Sequence, residues 1–178
     1  YERLVDALLA AGIQPWMTLF HWDLPQALQD RYGGWESRET ALRFGDYAAL
    51  LSKRLSDRVR NFFTINEFSC FTDLSHSIGM HAPGKQLPPA GRNQVRHHAL
   101  LAHGLAVQAL RANARATPAV GLAENAQICV PVIETADHIE AARRAMRELN
   151  APFLTAVTEG AYMESYIKGE GPAAPRVH

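Results

Sequence analysis

The stretch Phe62-Phe63-Thr64-Ile65-Asn66-Glu67-Phe68 decides how this sequence folds. Its first four residues are aromatic or β-branched, the composition of a buried strand. The strand ends in an amide and a carboxylate instead of a turn, with apolar residues on both sides. Glu67 set against Ile65, Phe68 and Phe71 is an acid in an apolar setting, where desolvation disfavours the charged form and raises the pKa. An acid that stays protonated near neutral pH can donate a proton. A strand-end glutamate that points to water is the structural alternative for the same residues.

Working outward, two more short apolar runs end in polar side chains. Trp16-Met17-Thr18-Leu19-Phe20 runs into His21-Trp22-Asp23-Leu24-Pro25, and Val120-Gly121-Leu122-Ala123 ends in Glu124-Asn125. Helical patterns separate them. Leu4, Val5, Leu8 and Leu9 share a face from about Glu2 to Ala11. Ser37 is placed to cap a helix that carries Phe44, Tyr47, Ala48, Leu51 and Leu55. A long Ala- and Leu-rich helix is expected from about Arg92 to Asn113. Another, capped by Thr135, is expected over Ala136–Leu149, with Ile139, Ala142, Met146 and Leu149 facing inward. The segment between Glu67 and Arg92 reads as a long loop, punctuated by His81-Ala82-Pro83-Gly84 and Pro88-Pro89.

Short strands that are apolar throughout and alternate with helices are the signature of a parallel sheet covered by crossover helices. In an α/β barrel the strand C-termini converge on one face, where catalytic groups sit. A doubly wound open sheet has the same element order. However, no strand here is followed by a glycine-rich phosphate loop, and Gly33-Gly34 lies well past its strand. The expected fold is therefore α/β, part of a (β/α)8 TIM barrel. Three strands cannot close such a barrel. Residues 1–178 then form a single partial domain, the central segment of a longer protein. Tyr1 is not an initiator methionine and no signal peptide is visible, so a cytoplasmic location is the expectation.

Composition narrows the function. The chain has 178 residues, with 18 Lys plus Arg balanced by 18 Asp plus Glu. A formal net charge of zero gives no electrostatic case for nucleic acid or an anionic membrane surface. No apolar run approaches the ~20 residues of a membrane span. Cys70 and Cys129 lie in apolar stretches and are expected to be buried free thiols. His98 and His103 are five apart on one helix, which does not place two ligands on one face. They and His97 are expected to be packing and surface residues. His76 and His81 lack the cysteine or carboxylate pattern of a zinc site, and there is no serine-centred nucleophile elbow.

The strand-end residues suit a sugar. Polyol hydroxyls need paired polar partners, and their C–H faces need flat apolar surface. An indole at Trp22 and an imidazole at His21 offer both. Asn66 beside Glu67 puts an amide next to an acid, which suits a ring hydroxyl adjacent to a bond being protonated. Asn125 could add a hydrogen bond, or it could be a turn residue.

Thr18-Leu19-Phe20-His21-Trp22-Asp23-Leu24-Pro25-Gln26 resembles the third-strand motif of glycoside hydrolase family 1, the β-glucosidase family. Thr64-Ile65-Asn66-Glu67 resembles the family's fourth-strand motif. Gly33-Gly34-Trp35, His81-Ala82-Pro83-Gly84, His97-His98, Leu101-Ala102-His103-Gly104 and Val120-Gly121-Leu122 with Asn125 are also similar and collinear. The resemblance implies a retaining glycosidase built on about the third to fifth βα units of a barrel. It implies Glu67 as general acid/base. His21, Trp22 and Asn66 would contact the non-reducing-end sugar, with Asn66 at its 2-hydroxyl and Asn125 near the aglycone. The implied substrate is a β-glucoside or cello-oligosaccharide, with no cofactor or metal. A 6-phospho-β-glycosidase and a non-catalytic sugar-binding or scaffold protein are the alternatives.

Two positions depart from the family pattern. The family usually carries proline after the acid/base, and here Phe68 stands there. The family usually carries an apolar residue where Glu124 stands, and Glu124 is expected to face away from Asn125 toward a partner of its own. The family's nucleophile, a second glutamate on a late strand, has no match after Asn125. Glu134, Glu148, Glu159, Glu164 and Glu170 have the wrong neighbours. The first strand, with its sugar-binding glutamine, is also absent.

Overall fold

The computed structural model describes residues 1–177. Helix α1 (Glu2–Ala10) leads to strand β1 (Trp16–Phe20), helix α2 (Gln26–Tyr32), a 3-10 turn at Gly34–Glu36 and helix α3 (Arg38–Leu55). Strand β2 (Asn61–Asn66) follows, then α4 (Phe68–His76), α5 (Pro89–Asn113) and strand β3 (Ala119–Ala123). The chain ends in α6 (Ala136–Leu149), a π-helical turn at Ala151–Thr155, α7 (Ala156–Glu159), α8 (Glu164–Glu170) and a 3-10 turn at Gly171–Ala173. The described residues divide into two compact units. One comprises Tyr1–Glu67 and His98–Ala123, the other Phe68–His97 and the residues from Glu124 onward.

The first unit holds the sheet. Its three strands are parallel in the order β1-β2-β3, as the apolar runs require. Trp16 pairs with Asn61 and Phe20 with Ile65 on one side of β2; Asn61 pairs with Ala119 and Phe63 with Gly121 on the other. The register then shifts. The next partners are Asn66 and Ala123, so β2 carries one residue more than β3 over this step. Such an extra residue kinks a strand and re-aims the side chains beyond it.

The core of this unit is aromatic near β1. Phe20 meets Trp35 edge-on with ring centroids 5.2 Å apart, and Phe44 lies within 6.4 Å of both. Gly33 and Gly34 make this possible. Both adopt positive φ, 81° and 65°, where α2 stops and the chain turns Trp35 into the core. On α5, Ala99, Ala102, Ala106 and Leu110 recur at helical spacing and are fully buried. Polar ties complete the packing. Ser52 donates to the Leu110 carbonyl at 3.0 Å, and His98 Nδ1 lies 2.9 Å from the Trp35 carbonyl. His103 Nδ1 lies 2.7 Å from the Thr64 hydroxyl, and burial lowers the pKa of that imidazole. His98 and His103 thus do packing work.

In the second unit the loop expected after Glu67 begins as a helix instead. Helix α4 buries Phe68, Phe71, Thr72, Ser75 and His76 on one face. Two of those positions carry hydroxyls, which hides the apolar period. The hydroxyls are buried by donating to carbonyls four residues back, Thr72 to Phe68 at 2.7 Å and Ser75 to Phe71. Phe68 stacks on Phe153 at 5.1 Å, and the Arg96 guanidinium lies over the same ring. Arg96 grips the Asp73 carboxylate with two nitrogens, at 2.6 and 3.0 Å, and so joins α4 to α5.

Other expectations also change. Helices α7 and α8 follow α6, beyond the last helix that the periodicity picks out. Thr135 caps α6 as expected, but no residue of that helix is fully buried, and Leu149 is 58% exposed. Its apolar stripe finds only partial cover among the described residues. Cys70 and Cys129 carry no disulfide, yet both are half-buried instead of buried. No helix among the described residues is long and apolar enough to cross a membrane.

Strands β1 and β3 are each paired on one side only, and Trp16 on β1 is 59% exposed. Open strand edges template unwanted pairing. The 178 residues purified alone are therefore expected to aggregate or to be partly molten, with a broad thermal transition. A single cooperative transition in a monomeric sample would refute this.

Candidate active site

The chemistry-bearing side chains gather where β1 and β2 end. His21 and Trp22 follow β1, and Asn66 closes β2. The indole Nε1–H of Trp22 donates to the Asn66 carbonyl at 2.9 Å. The Asn66 side-chain nitrogen lies 3.4 Å from His21 Nε2. The His21 and Trp22 rings meet edge-on with centroids 5.5 Å apart. Three of the expected sugar contacts are thus one hydrogen-bonded group. His21 is exposed, whereas Trp22 and Asn66 are half-buried, so the group is open to solvent on one side.

Glu67 follows directly and is half-buried, between the fully buried Ile65 and Phe68. Its N–H donates to the Ala123 carbonyl at 2.6 Å, which extends the β2–β3 ladder by one bond beyond the bulge. The backbone then turns sharply. Glu67 has φ 49° and Trp22 has φ 81°, and among the described residues they are the two non-glycines with positive φ. Such conformations cost ~1–3 kcal/mol each and cluster at functional sites. Both fall on residues singled out from sequence for their chemistry.

Asn125 belongs to the second unit. It is exposed, and its amide donates to Cys70 Sγ at 3.3 Å. Glu124 beside it has a well-defined role. One carboxylate oxygen accepts the Phe68 N–H at 2.5 Å, and the other accepts the Ser69 hydroxyl at 2.7 Å. Both donors belong to the first turn of α4, where backbone N–H groups lack helical partners and an anion is favoured. The partner sought for Glu124 is this helix end. A strand that ends in Glu-Asn, beside another that ends in Asn-Glu-Phe-Ser, was its only trace in the sequence.

The remaining carboxylates do other work. Glu159 pairs with Arg147 at 2.5 Å, Glu164 with Lys168 at 2.6 Å, and Glu170 accepts from Asn93 at 2.7 Å. Glu148 lies on the outer half of α6.

Glu67 thus follows an asparagine whose side-chain amide meets the His21 imidazole and whose backbone carbonyl takes the Trp22 indole N–H, at neighbouring parallel strand ends where barrel enzymes carry their chemistry. Comparisons with known proteins show the family. The sequence profile of glycosyl hydrolase family 1 matches residues 1–173, and the chain belongs to this family. It is 41% identical over 177 residues to a β-glucosidase of an Agrobacterium species, covering 99% of this chain and 38% of that relative. It is 47% identical over 132 residues to a bifunctional β-D-glucosidase/β-D-fucosidase of Bifidobacterium breve, covering 72% and 28%. Among solved structures, the virulence factor SghA in complex with its substrate analog salicin superposes with a TM-score of 0.85 at 40% identity. That match covers all of this chain and 38% of the other. A family 1 β-glucosidase from Thermotoga maritima gives 0.83 at 34% identity, covering 99% and 39%. The fold is thus part of a TIM barrel, and the chain spans less than two fifths of the length of these relatives.

The geometry isolates Asn66 for test. If its amide binds the hydroxyl adjacent to the reacting carbon, that bond strengthens in the transition state. In the full-length protein, Asn66→Ala should lower kcat on β-glucosides far more than on 2-deoxy-β-glucosides. Equal losses on the two substrates would remove the assignment.

Proposed function

We propose that the protein containing this chain is a retaining β-glucosidase and that Glu67 is its general acid/base. The observation that carries this reading is the strand-end group itself. Glu67 sits in a strained left-handed conformation directly after Asn66, and Asn66 is bonded to both Trp22 and His21. The names of the relatives support a β-glucoside as substrate, with a β-D-fucoside as the second compound to assay. The chain then forms the central segment of one barrel domain.

In this reading the sugar lies against Trp22, its hydroxyls held by His21 and Asn66. Glu67 protonates the glycosidic oxygen as a second carboxylate, supplied from outside this chain, attacks the anomeric carbon. Glu67 then takes a proton from water, which releases the sugar with its configuration retained. Retention calls for carboxyl groups ~5–5.5 Å apart. Asn125 serves the aglycone side. The 178 residues alone, without the second carboxylate, do not turn over.

Glu67→Gln in the full-length protein tests the assignment, because it keeps the shape and removes the proton chemistry, worth roughly 10²–10⁴-fold. Cellobiose turnover should nearly vanish. A dinitrophenyl glucoside, which needs no acid, should still load the enzyme in a burst and then stall. Azide, which needs no base, should restore turnover and give the β-glycosyl azide. Failure of azide rescue, or an α-configured product, would refute Glu67 as acid/base.

A further inference from the structure

Phe68 and Glu124, the two departures from the family pattern, meet each other. Proline at position 68 would have no N–H, and its ring would restrict the backbone of the residue before it. Phe68 lacks that ring and adds a donor. The Glu124 carboxylate takes that donor at 2.5 Å and holds Ser69 with its other oxygen at 2.7 Å. Phe68 is fully buried, so its N–H is shielded from solvent and would be costly to leave unpaired. The apolar side chain that the family pattern puts at position 124 could not accept it.

We propose that Glu124 is a positioning residue for Glu67, acting through the Phe68 N–H that a proline would not carry. This rests on the glycosidase reading. Glu67 stands between two held N–H groups. Its own bonds to the Ala123 carbonyl, and the next one along bonds to the Glu124 carboxylate. A residue at φ 49° persists only where its surroundings over-determine it. The Ala123 bond fixes the peptide before the Glu67 Cα, and the Glu124 bond fixes the peptide after it. With the second removed, the junction from β2 into α4 is free to relax, and the Glu67 side chain turns away from the bond it must protonate. The α4 side of the junction is firmly held, by Asp73 to Arg96 and Phe68 on Phe153, so relaxation falls on the linking residue. Glu124 does not itself move a proton here.

The test uses the full-length protein and compares leaving groups. Glu124→Leu should lower kcat/KM for cellobiose by up to ~100-fold, the cost of displacing a catalytic group by about 1 Å. It should leave kcat/KM for a dinitrophenyl glucoside nearly unchanged, since that step needs no acid. A purely structural role would lower both alike. Phe68→Pro added to Glu124→Leu should recover part of the cellobiose activity, because the orphaned donor goes. Glu124→Gln keeps the shape and one acceptor, and should show a smaller split in the same direction even if the leucine variant does not fold. The proposal is overturned by equal losses on both substrates, by Glu124→Gln matching wild type on both, or by additive losses in the double variant. The Glu67→Gln experiment keeps the two claims apart. If Glu67→Gln is silent, the glycosidase reading falls. If it behaves as an acid/base variant while the Glu124 variants are silent, only the positioning role falls.

Discussion

Strand β2 has hydrogen-bonded neighbours on both sides, and the rest of the site depends on how that pairing ends. Along most of its length the ladder is regular, and the strand is buried on both faces. A strand so enclosed has no room for a charged side chain until it runs out of partners. The register shift between Phe63 and Asn66 is where it does so. The extra residue there lets Asn66 and Glu67 leave the sheet in directions that a regular pleat would not allow. The Thr64 hydroxyl spans the irregular step by donating to the Gly121 carbonyl at 3.3 Å. The point at which the candidate acid leaves the sheet therefore traces to one surplus residue in one strand.

Most of the architecture was legible because it is written in strong local signals. The strand limits Trp16–Phe20 and the helix limits Ala136–Leu149 follow from apolar runs and from a threonine at the cap. The Ser37 cap was equally readable, its hydroxyl accepting the Glu39 N–H. The grouping of His21, Trp22 and Asn66 was foreshadowed by strand ends alone, because parallel strands bring their C-termini to one edge. Their mutual hydrogen bonds were not. Trp22 reaches the backbone carbonyl of Asn66 instead of its side chain, a contact without any residue-type signature.

What escaped the sequence shares a physical origin. Helix α4 buries hydroxyls where apolar periodicity would look for carbon. Glu124 caps a helix that begins 56 residues earlier in the chain, and no local pattern can announce such a partner. The apolar stripe of α6 was read correctly as a stripe and wrongly as a buried face. Periodicity states which side chains share a side, not whether anything covers them.

The left-handed backbone at Trp22 and Glu67 has an evolutionary consequence. Glycine or asparagine tolerates that region at little cost, whereas a bulky indole and a glutamate do not. A search for thermostable variants that ignored turnover would therefore be drawn to these two positions first. Each step would gain stability by releasing strain and would erase the group that the strain holds in place. If Glu67 and Trp22 act as proposed, library screens on this scaffold would carry a built-in bias toward inactive winners.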